Sequence, residues 1–514
     1  MLLINSSPKD ALKIFQPFLP IFVPVGPGYL VAACRKNNIN VELIDEQVED
    51  NVLNKIKAYT QRTERPYIFG FSVLTAAVKS ALLLSKQIKT MYPDSVIVFG
   101  GVHPTAMPDE MLSYDQVDIV VRGEGEKIIP KLYHSIKKGE NLQGMQGVSY
   151  KNGKNIVHNP MGQIITDLDS IPLFPYDLFA NNERYDMGFV VSSRGCPYKC
   201  IFCSNRVTTS SAYRYRSNES IVGELEKLNS EYKKNFVLFL DDNFLVNKER
   251  IYSLTKNIRD KGLHNKMTFS FQARGDNVDK ELLEDLYRSG FKSIFFGIET
   301  ASDELLKIVK KGETLEEIID AVNLSKKIGF HVSATFMYGL PTENHQDRMK
   351  SLRLSKALDL DMVRFNNATP YPGTELYTIA NNEKRLKIIG SYENFNSVST
   401  FIESPFKKIP FSYVPEGNTE AQIRNDILFS YLAFYMDINK VKKIFANPSQ
   451  GVGWFNAGRK LMELIKKVPS IAMLSIYMAI KYTELLFNVL LSRDSLITWR
   501  EATEIIKTRE NKGR

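Results

Sequence analysis

Short apolar runs separated by amphipathic stretches recur along most of the chain. Met1–Ile4, Val41–Ile44, Tyr67–Phe71, Val96–Phe99 and Val117–Val121 are too short for helices and end in turn residues, so each reads as a strand. The stretches between them carry helical periodicity. Five strands alternating with helices predict a parallel sheet covered on both faces, of Rossmann or flavodoxin type. Such sheets bind ligands beyond the carboxyl ends of their strands. The residues placed there are Ser72, Thr75, Gly100, Gly101, His103 and the Arg122–Glu126 turn with Glu124 at its centre.

Past residue 140 the rhythm breaks. Gly147–Tyr150 and Ile156–His158 around Asn152-Gly153 read as a hairpin, and the proline-punctuated Ile171–Tyr176 as an extended crossing. Alternation resumes at Gly188, with strands at Phe189–Ser192, Phe236–Leu240, Met267–Phe271, Ser293–Ile298, His331–Phe336 and Met362–Phe365. The remainder is helical in pattern. The expected division is 1–140, a 141–185 linker, 186–385, and a helical 386–514.

Composition changes the picture at one place. Of only four cysteines, Cys196, Cys200 and Cys203 fall within eight positions. So few, so clustered, they argue against a disulfide framework and for a reducing compartment. Three soft thiolates on a loop suit zinc or an iron–sulfur cluster, either one keeping a position for a further ligand. Cys34 lies on the apolar face of a helix and reads as core. No G-x-G-x-x-G follows the first strand and no G-x-x-x-x-G-K-[ST] occurs, so dinucleotide and P-loop readings lack support.

The spacing of Cys196-x3-Cys200-x2-Cys203, with Phe202 before the last cysteine, resembles the signature of radical SAM enzymes. Pro27–Cys34, Gly70–Thr75, Gly100-Gly-Val-His-Pro-Thr105 and Val121-Arg-Gly-Glu-Gly-Glu126 resemble the cobalamin-binding domain that precedes some of them. Later motifs fall at strand ends in that family's order: Asp241-Asp242-Asn-Phe244, Gln272-Ala-Arg274, Phe295–Thr300 with Glu299, Met337–Thr342 with Gly339 and Pro341, and Asn366–Thr374. Residues 1–380 thus resemble the cobalamin-dependent (B12-binding) radical SAM enzymes.

The resemblance implies an α/β chain with an N-terminal Rossmann-like cobalamin-binding domain, a partial (β/α)6 radical SAM barrel and a helical C-terminal region. It implies a [4Fe-4S] cluster on Cys196, Cys200 and Cys203, with S-adenosyl-L-methionine (SAM) on the fourth iron. Asp241, Asp242, Gln272, Arg274, Glu299, Gly339 and Pro341 would line SAM; Ser72, Thr75, Gly100, Gly101, His103 and Glu124 would line cobalamin. The D-x-H-x-x-G motif that supplies histidine to cobalt is absent, so His103 is either a lower ligand or a packed turn residue. Asp241 or Asp242 can equally cap a helix, and Glu299 can pair with Arg274.

The reaction implied is methylation of an unactivated carbon in a small molecule or lipid, with a flavodoxin or ferredoxin as electron donor and no nucleic acid expected. The alternatives are a tetrapyrrole-cyclase-like oxidative cyclase or rearrangement enzyme, and a zinc-stabilised binding protein. No secretory signal opens the chain, which predicts a cytoplasmic protein. Of the formal charge of +9, residues 440–514 hold fourteen Lys or Arg against six Asp or Glu, an excess of eight. That tail is a candidate for peripheral membrane contact. Against it, Lys481 and Glu484 interrupt the apolar Ile471–Leu491 and can pair on an exposed face of a packed helix.

Overall fold

The computed structural model describes residues 1–8, 21–209, 211–398, 408–435, 476–477 and 479–487. The first sheet contains β1 (Leu2–Asn5), β2 (Glu42–Asp45), β3 (Ile68–Ser72), β4 (Val96–Gly100) and β5 (Ile119–Val121), extended by β6 (Val148–Asn152) and β7 (Asn155–His158). Its order is β2-β1-β3-β4-β5-β6-β7, parallel through β5 and antiparallel thereafter. The order 2-1-3-4-5 is flavodoxin-like and reverses between β1 and β3, where such sheets bind their ligands. Leu2, Ile4, Phe69, Phe71, Ile97 and Phe99 bury one face; Leu3, Ile68 and Val98 bury the other. Cys34 is fully buried in that second core, its thiol pushed up to about 11 by burial.

The hairpin read as part of a linker therefore belongs to the sheet. Ile119, Val120 and Val121 pair with Tyr150, Ser149 and Val148. This pairing covers β5, which would otherwise present an open edge.

The second sheet is parallel, in sequence order: β8 (Phe189–Val190), β9 (Phe236–Phe239), β10 (Thr268–Ala273), β11 (Phe291–Glu299), β12 (His331–Tyr338) and β13 (Met362–Asn367). Strict alternation on β12 and β13 sends Ala334, Phe336, Val363 and Phe365 to the helices and leaves Thr335, Met337, Arg364 and Asn366 on the lumen face. Helix Glu420–Tyr435 covers the free edge of β13. The Phe365 amide donates to the Tyr431 hydroxyl (3.1 Å), and Tyr435 accepts from the Val363 amide (3.0 Å) and donates to its carbonyl (2.7 Å).

The chain after the barrel also returns to the first domain, since Tyr392 and Phe395 lie in its core. Most of 440–514, including Leu461–Ile465 and the ends of Ile471–Leu491, lies outside the described residues. Where it is described, Lys481 and Glu484 do approach (3.5 Å), but the Lys481 side chain is only 3% exposed, so the pair is not on a solvent face. No helix among the described residues is long and apolar enough to cross a membrane.

Candidate active site

The cysteine loop hangs from a two-stranded ribbon at the carboxyl end of β8, with Ser193 opposite Tyr215 and Arg194 opposite Arg214. Gly195 turns the chain out of it at φ +88°, and any Cβ there would collide with the Ala212 carbonyl. The Asp241-Asp242 turn after β9 holds the ribbon's root. Asp241 accepts from the amides of Ser192 (2.7 Å) and Ser193 (3.0 Å) and from the Ser192 hydroxyl, with Arg250 3.9 Å away. Its oxygens are committed to the scaffold. Asp242 accepts from the Gly195 amide (2.9 Å) and the Asn205 side chain and faces the opening, where burial raises its pKa. Neither aspartate caps a helix.

Cys196, Cys200 and Cys203 line one cavity of about 390 Å³ together with Asp241, Asp242, Gln272, Arg274 and Glu299. Burial pushes all three thiols up, Cys203 to about 11. Thiols of this kind form thiolates when a metal displaces the proton. No group of three His, Cys, Asp or Glu among the described residues is placed to hold a single ion. One tetrahedral zinc would draw thiolate sulfurs to within about 4 Å of each other, whereas a cubane spreads them over its corners. Three thiols lining one cavity are a donor set that fits a cluster.

The cavity wall opposite the loop is charged. Glu299 ends β11 after a register shift and sits at φ +68°, a strained conformation for a residue with a side chain. It pairs not with Arg274 but with Lys311 (3.3 Å), which also reaches Glu313 (3.5 Å). Arg274 is instead held by both oxygens of Asp276 (2.9 and 3.0 Å) and lies 3.5 Å from the centre of the Tyr198 ring, inside the cysteine loop. That stacking is worth on the order of 1–2 kcal/mol. Glu313 accepts the amides of Gly275 (2.7 Å) and Asp276 (3.3 Å).

Two cations thus face three carboxylates, a formal excess of one negative charge. Glu299 Oε2 and Arg274 Nη1 are buried without hydrogen-bond partners. Buried unpaired atoms around a cavity mark where a ligand is owed hydrogen bonds. A net-cationic sulfonium ligand with an aminium and ribose hydroxyls fits them. Sequence reasoning missed Lys311, because Lys310-Lys311-Gly312 looks like a solvated turn. Gly339 and Pro341 do not line this cavity; the Gly339 amide donates to buried Glu343, itself beside Arg348 (3.4 Å).

A second cavity, of about 300 Å³, opens where the first sheet reverses between β1 and β3. Ser72, Gly100, Gly101 and Glu124 line it, and its walls are otherwise mostly apolar. Gly101 has φ +104°, and a Cβ would lie 2.9 Å from the Val73 carbonyl oxygen. An apolar slot beneath glycines fits the nucleotide base of cobalamin, which Ser72, Gly100 and Gly101 would hold. Thr75 and His103 are not brought to this cavity. They face each other (3.3 Å), with the His103 ring packed 4.6 Å from Tyr392 and its pKa lowered to about 4 by burial.

Glu124 lines this cavity and is also a strut. It accepts from Arg194 (3.3 Å), from Arg214 (2.7 Å) and from the Ile165 amide (2.7 Å), so one carboxylate of the first domain grips both strands of the cysteine ribbon. Glu126 adds a second contact to Arg194 (2.6 Å), whose guanidinium lies over Tyr29. Arg194 lines the first domain's cavity; Cys196, two residues on, lines the barrel's.

A flavodoxin-like domain joined in this way to a six-stranded partial barrel with a three-cysteine loop defines a radical enzyme with a cofactor cavity in each domain. The family model of the radical SAM superfamily matches residues 190–355 and that of the B12 binding domain residues 17–133. An uncharacterized methyltransferase of Pyrococcus horikoshii is 32% identical over 420 residues, 80% of this chain and 88% of that protein. An anaerobic magnesium-protoporphyrin IX monomethyl ester cyclase of Cereibacter sphaeroides is 25% identical over 442 residues, 84% of this chain and 69% of that one. The fold matches the cobalamin-dependent SAM radical enzyme OxsB, solved with aqua-cobalamin and SAM, at TM-score 0.68 and 18% identity, covering 100% of this chain and 80% of that one. The chain belongs to the cobalamin-dependent (B12-binding) radical SAM enzymes. Its cofactors are a [4Fe-4S] cluster, SAM and cobalamin.

Proposed function

We propose that this enzyme transfers a methyl group to an unactivated carbon of a small-molecule or lipid substrate. The observation that carries the reading is the Glu124 strut, which fixes the first domain's cavity beside the one lined by the three cysteines. When bound, the cofactors supply one-electron cleavage of SAM, hydrogen abstraction from carbon and a transferable methyl group. The residues do the rest. Cys196, Cys200 and Cys203 hold the cluster, and Asp242 and the free oxygen of Glu299 receive the aminium and ribose of SAM. Gln272 faces the same space, while Arg274 positions Tyr198 and through it the loop. Ser72, Gly100 and Gly101 form the cobalamin rim, with His103 buried away from it. A flavodoxin or ferredoxin supplies the electron, and the basic tail is the candidate membrane contact.

A cyclase remains the second reading, favoured by the name of the Cereibacter relative. Incubating the anaerobically reconstituted enzyme with SAM labelled in its methyl carbon, a reductant and cell extract distinguishes the two. Methyl transfer predicts label in a product alongside 5′-deoxyadenosine. Formation of 5′-deoxyadenosine stimulated by extract, with no label in any product, would overturn it.

A further inference from the structure

Among the charged residues of the barrel lumen, Arg364 stands apart. Arg274 and Lys311 are both tied to carboxylates. Arg364, midway along β13, is exposed and has no ion pair among the described residues; its guanidinium carbon lies 5.2 Å from the ring of Phe295 and within electrostatic reach of Tyr431 and Tyr435. The register fixes where it points. Arg364 lies opposite Thr335, which lies opposite Gly297, and side chains side by side in a parallel sheet share a face. Thr335, Gly297 and Phe295 all line the cavity of the three cysteines. The guanidinium therefore stands at the margin of that cavity, on the strand farthest in the sheet from the cysteine ribbon.

One row nearer the carboxyl end, Asn366 lies opposite Met337, another lining residue, and its Oδ1 is buried without a partner. The rest of this lumen wall offers hydroxyls, from Ser293, Ser333 and Thr335, and no carboxylate on the lumen face of β10, β12 or β13. A guanidinium without an ion pair, resting on an aromatic face, is a receptor for a planar or tetrahedral oxyanion, and the unpaired Asn366 oxygen beside that row suits a donor elsewhere on the same ligand. Its position leaves SAM and the cysteine loop between it and β8.

We infer that the substrate of this enzyme is an anion, bound through a carboxylate or phosphate to Arg364 on the lumen face of β13, with a hydrogen-bond donor of the same molecule reaching Asn366. This rests on the radical SAM reading of the site but not on methylation being the outcome. Anchoring one end on β13 presents a carbon of the same molecule to the cluster side of the cavity. An uncharged hydrocarbon would offer the guanidinium no partner, so it is not the substrate expected.

The test uses the full-length reconstituted enzyme with labelled SAM, and small molecules of a cell extract separated on an anion exchanger. The fraction that stimulates 5′-deoxyadenosine formation should be a retained one. Loss of stimulation after phosphatase treatment assigns a phosphate, and loss after carbodiimide–amine capping a carboxylate. Arg364→Gln should raise the half-saturating amount of that fraction by about 10- to 100-fold, with partial recovery in Arg364→Lys. The change in the cluster's electron paramagnetic resonance signal on adding SAM should keep its wild-type midpoint. The active fraction should also slow phenylglyoxal modification of Arg364, read by peptide mass. A stimulating fraction that passes unretained, or an Arg364→Gln enzyme with the wild-type midpoint, would overturn the inference. So would a shifted SAM midpoint, which would give Arg364 to the SAM carboxylate. Stimulation by a retained fraction without methyl label would instead defeat methyl transfer and leave this inference standing.

Discussion

Replacing Glu124 by Ala should loosen the cysteine loop, although Glu124 sits in the other domain and touches no cysteine. The carboxylate is 6% exposed and faces two guanidinium groups exposed by 17% and 6%. Burial opposes its charge, but the hydrogen bonds from Arg214 and the Ile165 amide, with both arginine charges, outweigh that and hold its pKa below the ordinary 4.5. Removing one member of such a buried set strands the others and costs on the order of 3–5 kcal/mol. If that loss appears as local opening, amides of residues 193–215 should exchange roughly a hundred- to several-thousand-fold faster. Hydrogen exchange read by mass spectrometry measures this segment by segment. A Glu124→Gln and Arg214→Met cycle should give a coupling of about 1–3 kcal/mol. A depressed carboxylate contributes stability above its unfolded pKa and loses it as pH falls through the folded value. The Glu124→Gln deficit should therefore be full at pH 7 and shrink below about pH 4.5. Exchange within threefold of wild type in Glu124→Ala, or coupling under about 0.5 kcal/mol, would refute the strut.

Ala at Cys196, Cys200 or Cys203 should abolish 5′-deoxyadenosine formation with the circular dichroism of the fold retained, whereas Cys34→Ser should leave iron content unchanged. His103→Ala should keep the cob(II)alamin paramagnetic resonance spectrum of the wild type; a change in nitrogen splitting would make His103 a cobalt ligand. Because burial lowers the His103 pKa from 6.5 to about 4, unfolded chains take up its proton first on acidification. Wild-type stability should then fall between those pH values by up to about 3 kcal/mol more than that of His103→Gln. Lys311→Met should leave Glu299 and Glu313 facing each other without a cation, weakening SAM binding by at least tenfold in the same resonance titration, while Lys311→Arg recovers part of it.

What the sequence made readable was local. All five parallel strands of the first sheet show as apolar runs, because a strand buried on both faces has little choice of residue, and the barrel strands show by the apolar residues they turn toward the helices. The cysteine spacing is equally local. Long-range partnerships were not readable. Nothing in Val148–Asn152 says that it pairs with Ile119–Val121 rather than standing apart, and nothing in Arg122–Glu126 says whether Glu124 meets a cofactor or two arginines seventy and ninety residues away. Lys311 was hidden for the same reason: a lysine beside a glycine looks solvated until β11 brings Glu299 to it. Gly339 and Pro341 fell where their motif implies, in a turn after β12, yet the turn's backbone is braced by Glu343 instead of walling the cavity.

The two tyrosines on β13 bear on how this chain can be divided. An open barrel of six strands must leave two flanks, and a flank of bare amides and carbonyls can recruit a strand from another molecule. Here the outer flank is occupied by phenol hydroxyls carried on a helix more than fifty residues downstream, at Tyr431 and Tyr435. The residues that line the cysteine cavity end well before that helix begins. A fragment cut to them would keep that cavity's side chains and still expose a sticky seam, so a stable barrel fragment should be extended through Tyr435.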